Sequence, residues 1–148
     1  MRVTQQTDYA IRICCVLDEA GERLDAAEIS KRAGVTQGFA LKTLRLLSHA
    51  GVVRSYSGNG GGYELARDAT ELSVAELISI IEGPIYLSKC MDCEYECTRN
   101  PRKTNCKMHV AFCALSRSIE QRLTKITVRT LTDPSLTSCD VAEMIKNK

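Results

Sequence analysis

Apolar residues recur at Ala10, Ile13, Cys14 and Leu17, the i, i+3, i+4, i+7 spacing of an amphipathic helix, and predict one over residues 5–20 that stops at Gly21. Asp25, with Glu28 three positions later, is a capping-box-like start for a second helix through Ile29 to Ala33, and Gly34 supplies a tight turn. Thr36 can cap a third helix that carries Phe39, Leu44 and Leu47 and closes at Gly51. Two short helices joined at a glycine are the pattern of a helix-turn-helix. Val52–Tyr56 then reads as a strand, Ser57-Gly58-Asn59-Gly60-Gly61-Gly62 as a turn and Tyr63–Leu65 as the returning strand, which together make a wing.

Ser73 and Glu76 repeat the capping pattern ahead of a helix through Val74, Leu77, Ile78 and Ile81, ended by Gly83 and Pro84. Further on, Met108, Ala111, Phe112, Leu115, Ile119, Leu123 and Ile126 form one apolar stripe. It predicts a helix of about twenty residues, about 30 Å long. A helix of that length on so small a body packs against a second subunit; the alternative is that it lies across its own winged domain. The expected fold is mainly α with a small β-wing. It comprises a winged helix-turn-helix domain over residues 1–83, a cysteine-rich loop over 84–106, a dimerisation helix over 107–132 and a polar, loose tail over 133–148.

A chain of 148 residues can bury one core. No stretch approaches the roughly 18 apolar residues of a membrane span, and the opening Met1-Arg2-Val3-Thr4-Gln5-Gln6 has no apolar targeting core, so a cytoplasmic protein without membrane contact is expected. The net charge of +2 says little, but its distribution is uneven. Between residues 31 and 67, Lys31, Arg32, Lys42, Arg45, Arg54 and Arg67 face Glu64 alone, whereas residues 8–30 are acidic. A solvated helix face would account for such clustering; placed on a helix-turn-helix, it suits a polyanion.

The second helix of a helix-turn-helix enters the major groove, with its first turn at base edges and the wing at phosphates or the minor groove. That turn presents Thr36, Gln37 and Gly38. Gln37 is the candidate base reader, because its amide can bond bidentately to adenine. Lys42, Arg45 and Arg54 suit phosphates. Further candidate DNA contacts are Arg2, Thr4 and Tyr9 in the opening segment and Ser57, Asn59, Gly60 and Gly61 in the wing, where missing side chains let backbone turn sharply or approach closely.

The chain has eight cysteines. Cys14 and Cys15 lie in the apolar run of the first helix and read as packing; Cys113 and Cys139 read as incidental. Cys90, Cys93, Cys97 and Cys106, followed by His109, sit in a polar segment that cannot pack a core of its own. Thiols so closely spaced in a reducing compartment are more often ligands than staples. Cys90, Cys97 and Cys106 with one nitrogen or oxygen ligand would hold an iron-sulfur cluster with a labile corner. Cys90 and Cys93 with Cys97 and Cys106 would equally make a closed zinc site, and a dithiol switch is the third chemistry. A thiol oxidoreductase using Cys90 and Cys93 lacks the strand-to-helix setting and any nucleophile-base constellation, so no enzyme is expected.

Met1-Arg2-Val3-Thr4 with Thr7-Asp8-Tyr9-Ala10, Ile29-Ser30 through Gly34-Val35, Gly51-Val52-Val53, Gly60-Gly61-Gly62-Tyr63, and Leu72-Ser73-Val74 through Glu82-Gly83 resemble the Rrf-type family of bacterial winged-helix transcription regulators, in particular its IscR-like and NsrR-like iron-sulfur members. The resemblance runs from residue 1 to about 131. It implies a homodimer crossed by its long helices that binds a partly palindromic operator on double-stranded DNA, usually as a repressor. It further implies a [4Fe-4S] or [2Fe-2S] cluster on Cys90, Cys97 and Cys106 that senses redox state, nitric oxide or iron-sulfur status. The fourth ligand implied is Asp8 of the other subunit, as in nitric-oxide sensors, or His109, as in IscR-like members; Cys93 is a possible extra ligand. The chain departs from the family at Ser57-Gly58-Asn59, where the wing usually carries Arg-Gly-Pro, at Leu41, often a glutamate, and in the longer gap from Cys97 to Cys106.

Overall fold

A computed structural model gives the architecture and describes residues 3–100, 102–103 and 105–146. Helix α1 (Gln5–Ala20) starts where the Thr4 hydroxyl accepts the Thr7 N–H and stops at Gly21 in the left-handed conformation. Ala10, Ile13, Cys14 and Leu17, the positions expected from spacing, are its buried face, joined by Thr7 and Val16. In α2 (Ala26–Ala33) the Asp25 carboxylate accepts the Glu28 N–H at 2.8 Å, and Gly34, at φ 67°, closes the helix. Helix α3 (Gln37–His49) follows after Gly34, Val35 and Thr36. Thr36 stands at its N-cap, but the side chain makes no capping bond. The expected Thr36 hydroxyl cap is therefore corrected: Thr36 holds the N-cap position by its backbone alone and is exposed.

Strands β1 (Val53–Tyr56) and β2 (Gly62–Leu65) pair antiparallel, with Arg54 opposite Glu64 and Tyr56 opposite Gly62. A third element completes the wing. Leu24, between α1 and α2, bridges Tyr63 through both backbone bonds, 3.0 and 2.8 Å. Gly62 allows this approach: at φ 150° an added Cβ would lie 2.6 Å from the Leu24 carbonyl oxygen.

The core collects around α1. Ile13, Ile29, Leu44, Leu47, Val52, Leu72, Leu77 and Val128 are fully buried, each contributing about 1.5–3 kcal/mol by leaving water. Helix α4 (Val74–Glu82) begins with the Ser73 hydroxyl accepting the Glu76 N–H, as its capping pattern predicts. Its other side, Val74 and Ile78 with Ile85, packs against Ile119, Leu123 and Ile126.

Two expectations for the C-terminal third need correction. The single helix over 107–132 is two helices, α5 (Lys107–Thr124) and α6 (Val128–Thr132). Thr127 breaks it: its backbone is extended and it forms a capping box with Thr130. The break pairs with the segment before α4, the Val74 N–H donating to Ile126 O and the Val128 N–H to Leu72 O. Ile126 therefore belongs to this crossover and not to α5. Nor is the tail loose, because residues 138–146 form α7 (Ser138–Lys146). There Thr137 and Asp140 cap one another reciprocally, and Arg122 donates to Ile145 O at 2.8 Å.

Candidate nucleic-acid interface and cysteine loop

Gly34 and Val35 turn α2 into α3, with the Val35 N–H donating to Ser30 O. This turn leaves Thr36, Gln37, Gly38, Lys42 and Arg45 exposed on one side of α3, while Ala40, Thr43, Leu44 and Leu47 bury the other. Arg32 is neutralised by Glu28 on its own helix at 2.6 Å. Among the described residues Lys42 and Arg45 are in no ion pair, so both charges are available to a polyanion. Leu41 is also exposed, which gives this surface an apolar spot between its cations.

Tyr9 packs edge-on against Phe39, ring centroids 5.7 Å apart, and so braces the first turn of α3 from α1. Thr4 spends its hydroxyl on capping α1 and its N–H on the Glu82 carboxylate. Arg2 lies outside the described residues. In the wing, Arg54 reaches Glu64 at 3.7 Å across the ladder, and Ser57, Asn59 and Gly60 form an exposed tip. Gly61 is confined by the turn: a Cβ there would meet Tyr56 O at 2.5 Å.

Sequence reasoning missed Arg23. Its guanidinium lies 3.5 Å over the Tyr56 ring and donates to Gly60 O at 3.3 Å, clamping the wing to the α1–α2 connection. Such a stack contributes about 0.5–1 kcal/mol at an exposed site. A single arginine in an acidic stretch carries no signal of this role, since the partner ring lies 33 positions away by sequence number (56 − 23).

The cysteine loop is docked on α5. The Leu87 N–H donates to the Ser116 hydroxyl, which in turn donates to Met91 Sδ, both at 3.2 Å. Cys90 sits in a one-turn 3₁₀ helix (Lys89–Met91), buried, its thiol donating to the Ser88 hydroxyl at 3.3 Å. Cys93 is exposed, whereas Cys97 and Cys106 are half-buried. The Cys97 thiol is pulled below its ordinary pKa chiefly by the backbone N–H groups of Asn100 and Arg99, which outweigh the opposing effect of burial, with lesser help from the charges of Lys103 and Arg99. Thiolate character of this kind is what a soft metal selects. Cys106 is the N-cap residue of α5, after left-handed backbone at Lys103 and Asn105.

His109 stands on the first turn of α5. Its Nε2 is 3.6 Å from Cys113 Sγ, and its Nδ1 is buried without a hydrogen-bond partner among the described residues. Asp8, the other candidate fourth ligand, is paired with Arg12 at 2.8 Å. Among the described residues no three His, Cys, Asp or Glu side chains converge as a metal-binding group. Cys90, Cys97, Cys106 and His109 thus share one loop-helix joint without being gathered to a point. Their donor chemistry nonetheless suits a thiolate-bound cluster, with a thiol biased toward thiolate and a buried imidazole nitrogen that has no partner among the described residues.

A family model described as Rrf2, an iron-dependent transcriptional regulator, matches residues 3–134. The chain belongs to the Rrf2 family. It is 31% identical over 152 aligned positions to the HTH-type transcriptional regulator IscR of Xenorhabdus nematophila, covering all of this chain and 81% of that protein. It is 32% identical over 114 positions to the protein aau3 of Rhizobium meliloti, covering 76% of this chain and 72% of that one. Among solved structures, IscR of T. potens superposes with a TM-score of 0.70 at 20% identity, over 92% of this chain and 89% of that one. The cysteine regulator CymR of B. subtilis gives 0.70 at 17%, over 92% and 99%. These structural likenesses establish the winged-helix fold. This Rrf2-family chain is a transcriptional regulator and not an enzyme, and among its described residues no helix is long and apolar enough to cross a membrane.

Proposed function

We propose that this Rrf2-family regulator binds a partly palindromic operator as a homodimer and that an iron-sulfur cluster on Cys90, Cys97, Cys106 and His109 sets its affinity for DNA. The observation that carries this reading is one of continuity. The loop bearing Cys90 is fastened to α5 through Ser116, and α5 ends in the Ile126–Val128 crossover hydrogen-bonded to Leu72 and Val74 of the DNA-binding core. An event at the cysteines therefore reaches the helix-turn-helix along a rigid element rather than a free linker. His109 is favoured over Asp8 because its Nδ1 is buried and lacks a partner, whereas Asp8 is satisfied by Arg12.

When bound, the cluster supplies electron transfer and ligand exchange at iron. The chain's own residues do the rest. Cys97 offers a thiol already biased toward thiolate, Cys106 fixes the head of α5, and Cys90 anchors the loop at its buried end. On DNA, Gln37 reads base edges, Lys42 and Arg45 neutralise phosphates, and Tyr9 and Arg23 hold α3 and the wing in place for them.

Anaerobic reconstitution with iron and sulfide, followed by absorption and electron spin resonance spectra and by operator titration, tests this reading. Cluster-bound and cluster-free forms are expected to differ in operator affinity by about 5- to 150-fold. Cys90→Ala, Cys97→Ala or Cys106→Ala removes the cluster and the difference, while Cys93→Ala keeps both; His109→Ala leaves a cluster held by the three cysteines alone and more readily lost. A colourless protein holding stoichiometric zinc defeats the cluster reading and selects the zinc site; equal loss in all four cysteine variants points to an all-thiolate site including Cys93.

A further inference from the structure

We infer that Cys113 is a positioning residue for the cluster, holding His109 in the one tautomer and ring orientation that direct Nδ1 at iron. The inference rests on the cluster reading above and adds to it a residue that neither spacing nor family pattern marks. His109 and Cys113 are one helical turn apart on α5, at i and i+4, so their side chains meet on one face. The next position on that face is Ser116, which carries the loop through Leu87 and Met91. His109, Cys113 and Ser116 line, with Met91, a cavity of about 280 Å³ between α5 and the loop. Cys113 thus sits where the loop that follows Cys90 meets the helix that follows Cys106.

A neutral imidazole carries one N–H and one lone pair. Were the proton on Nδ1, a donor would be buried with nothing to receive it, while Nε2 would face a thiol of weak donor strength. With the proton on Nε2, that N–H donates to Cys113 Sγ at 3.6 Å and the buried Nδ1 keeps a lone pair. Metal-bound histidines are held in this way: the ring nitrogen that does not bind metal donates to a fixed neighbour, which sets both tautomer and ring orientation. Cys113 does that work here, and the polarisable sulfur suits the length of the contact.

Full-length protein reconstituted anaerobically, reduced with dithionite and read by electron spin resonance with nitrogen hyperfine detection, provides the test. The wild type is expected to show coupling to one histidine nitrogen. Cys113→Val fills nearly the same volume without an acceptor; it should still take up iron and sulfide through its three cysteines, lose or alter the nitrogen coupling, and release its cluster to a chelator about 10-fold faster or more. Cys113→Ser restores an acceptor and should restore the coupling. Operator binding by the cluster-free variants, unchanged from wild type, certifies that they fold. Nitrogen coupling and cluster retention in Cys113→Val equal to wild type overturn the inference and leave the cluster reading standing. Loss of the cluster in Cys113→Val as complete as in Cys90→Ala also overturns it, by making Cys113 a ligand. A wild type that takes up no cluster overturns both.

Discussion

Lys42 and Gln37 share the exposed side of α3 yet predict different failures. A lysine at a phosphate releases counterions without reading sequence, so Lys42→Ala should weaken all DNA alike and flatten the dependence of log affinity on log salt by about 0.9 for each copy of the chain on the duplex. Gln37→Ala should leave the salt slope alone and cost about 1–3 kcal/mol at a single base position, seen by titrating operators substituted one base pair at a time. Glu82 gives a residue-scale prediction of another kind. Burial pushes its carboxyl up, but hydrogen bonds from the Thr7 hydroxyl and from Thr4 outweigh that and hold it below the ordinary glutamate value of 4.5. A carboxyl depressed in the folded state contributes stability that is present above the unfolded pKa and lost as pH falls through the folded one. Urea unfolding should therefore find Glu82→Gln less stable than wild type at pH 7, with the gap closing steadily below about pH 4.5; a gap constant down to pH 3 would refute the assignment.

At the scale of elements, the winged helix-turn-helix was legible because each of its signals is local. The α1 spacing, the Asp25 and Ser73 caps and the glycines at 21, 34 and 83 each act within a few residues and need no knowledge of the rest of the chain. The α5–α6 break was not legible for the opposite reason. Leu123 and Ile126 keep helical spacing across it, and what extends Thr127 is backbone pairing with residues 72–74, more than fifty positions earlier. Helix α7 did carry local signals, Thr137 with Asp140 and the apolar residues Val141, Met144 and Ile145 at i, i+3 and i+4, but the stretch is short and none of its residues is buried, so no core contact marks it out. The cysteine loop shows the same limit: spacing picked out Cys90, Cys97, Cys106 and His109, while the role of Cys113 depends on a contact visible only once α5 is built. Helix α6 is fastened to α1 by Asp18, a nearly buried carboxylate that accepts from Arg129 at 2.7 Å and from the Thr132 hydroxyl. Asp18→Ala leaves that buried side of the contact empty and should cost about 1.5–3 kcal/mol of unfolding free energy, measured by denaturant titration.

For the whole molecule, the question is what α5 does with its two ends. Its C-terminal half is covered within the chain, Ile119 and Leu123 lying on Val74, Ile78 and Ile85. Its N-terminal half is not: Met108 and Leu115, seven residues apart and so on one face, are 59% and 54% exposed. Large apolar side chains left in water beside a half-buried cysteine loop are what an interface between two copies would cover, and a specific interface buries about 1,200–2,000 Å² in total. Leu115→Glu places a charge on that face without touching the core, so the variant should fold with the thermal stability of a wild-type monomer yet sediment as a monomer. It should bind a single half-site as wild-type half-site contacts dictate and lose the added affinity for the palindrome, because two recognition helices are no longer held at a fixed separation. Sedimentation and titration on half and full operators check this together. A Leu115→Glu chain that still sediments as a dimer with full palindrome affinity would mean that α5 pairs through a different face, and the path from the cysteines to the second recognition helix would have to be redrawn through it.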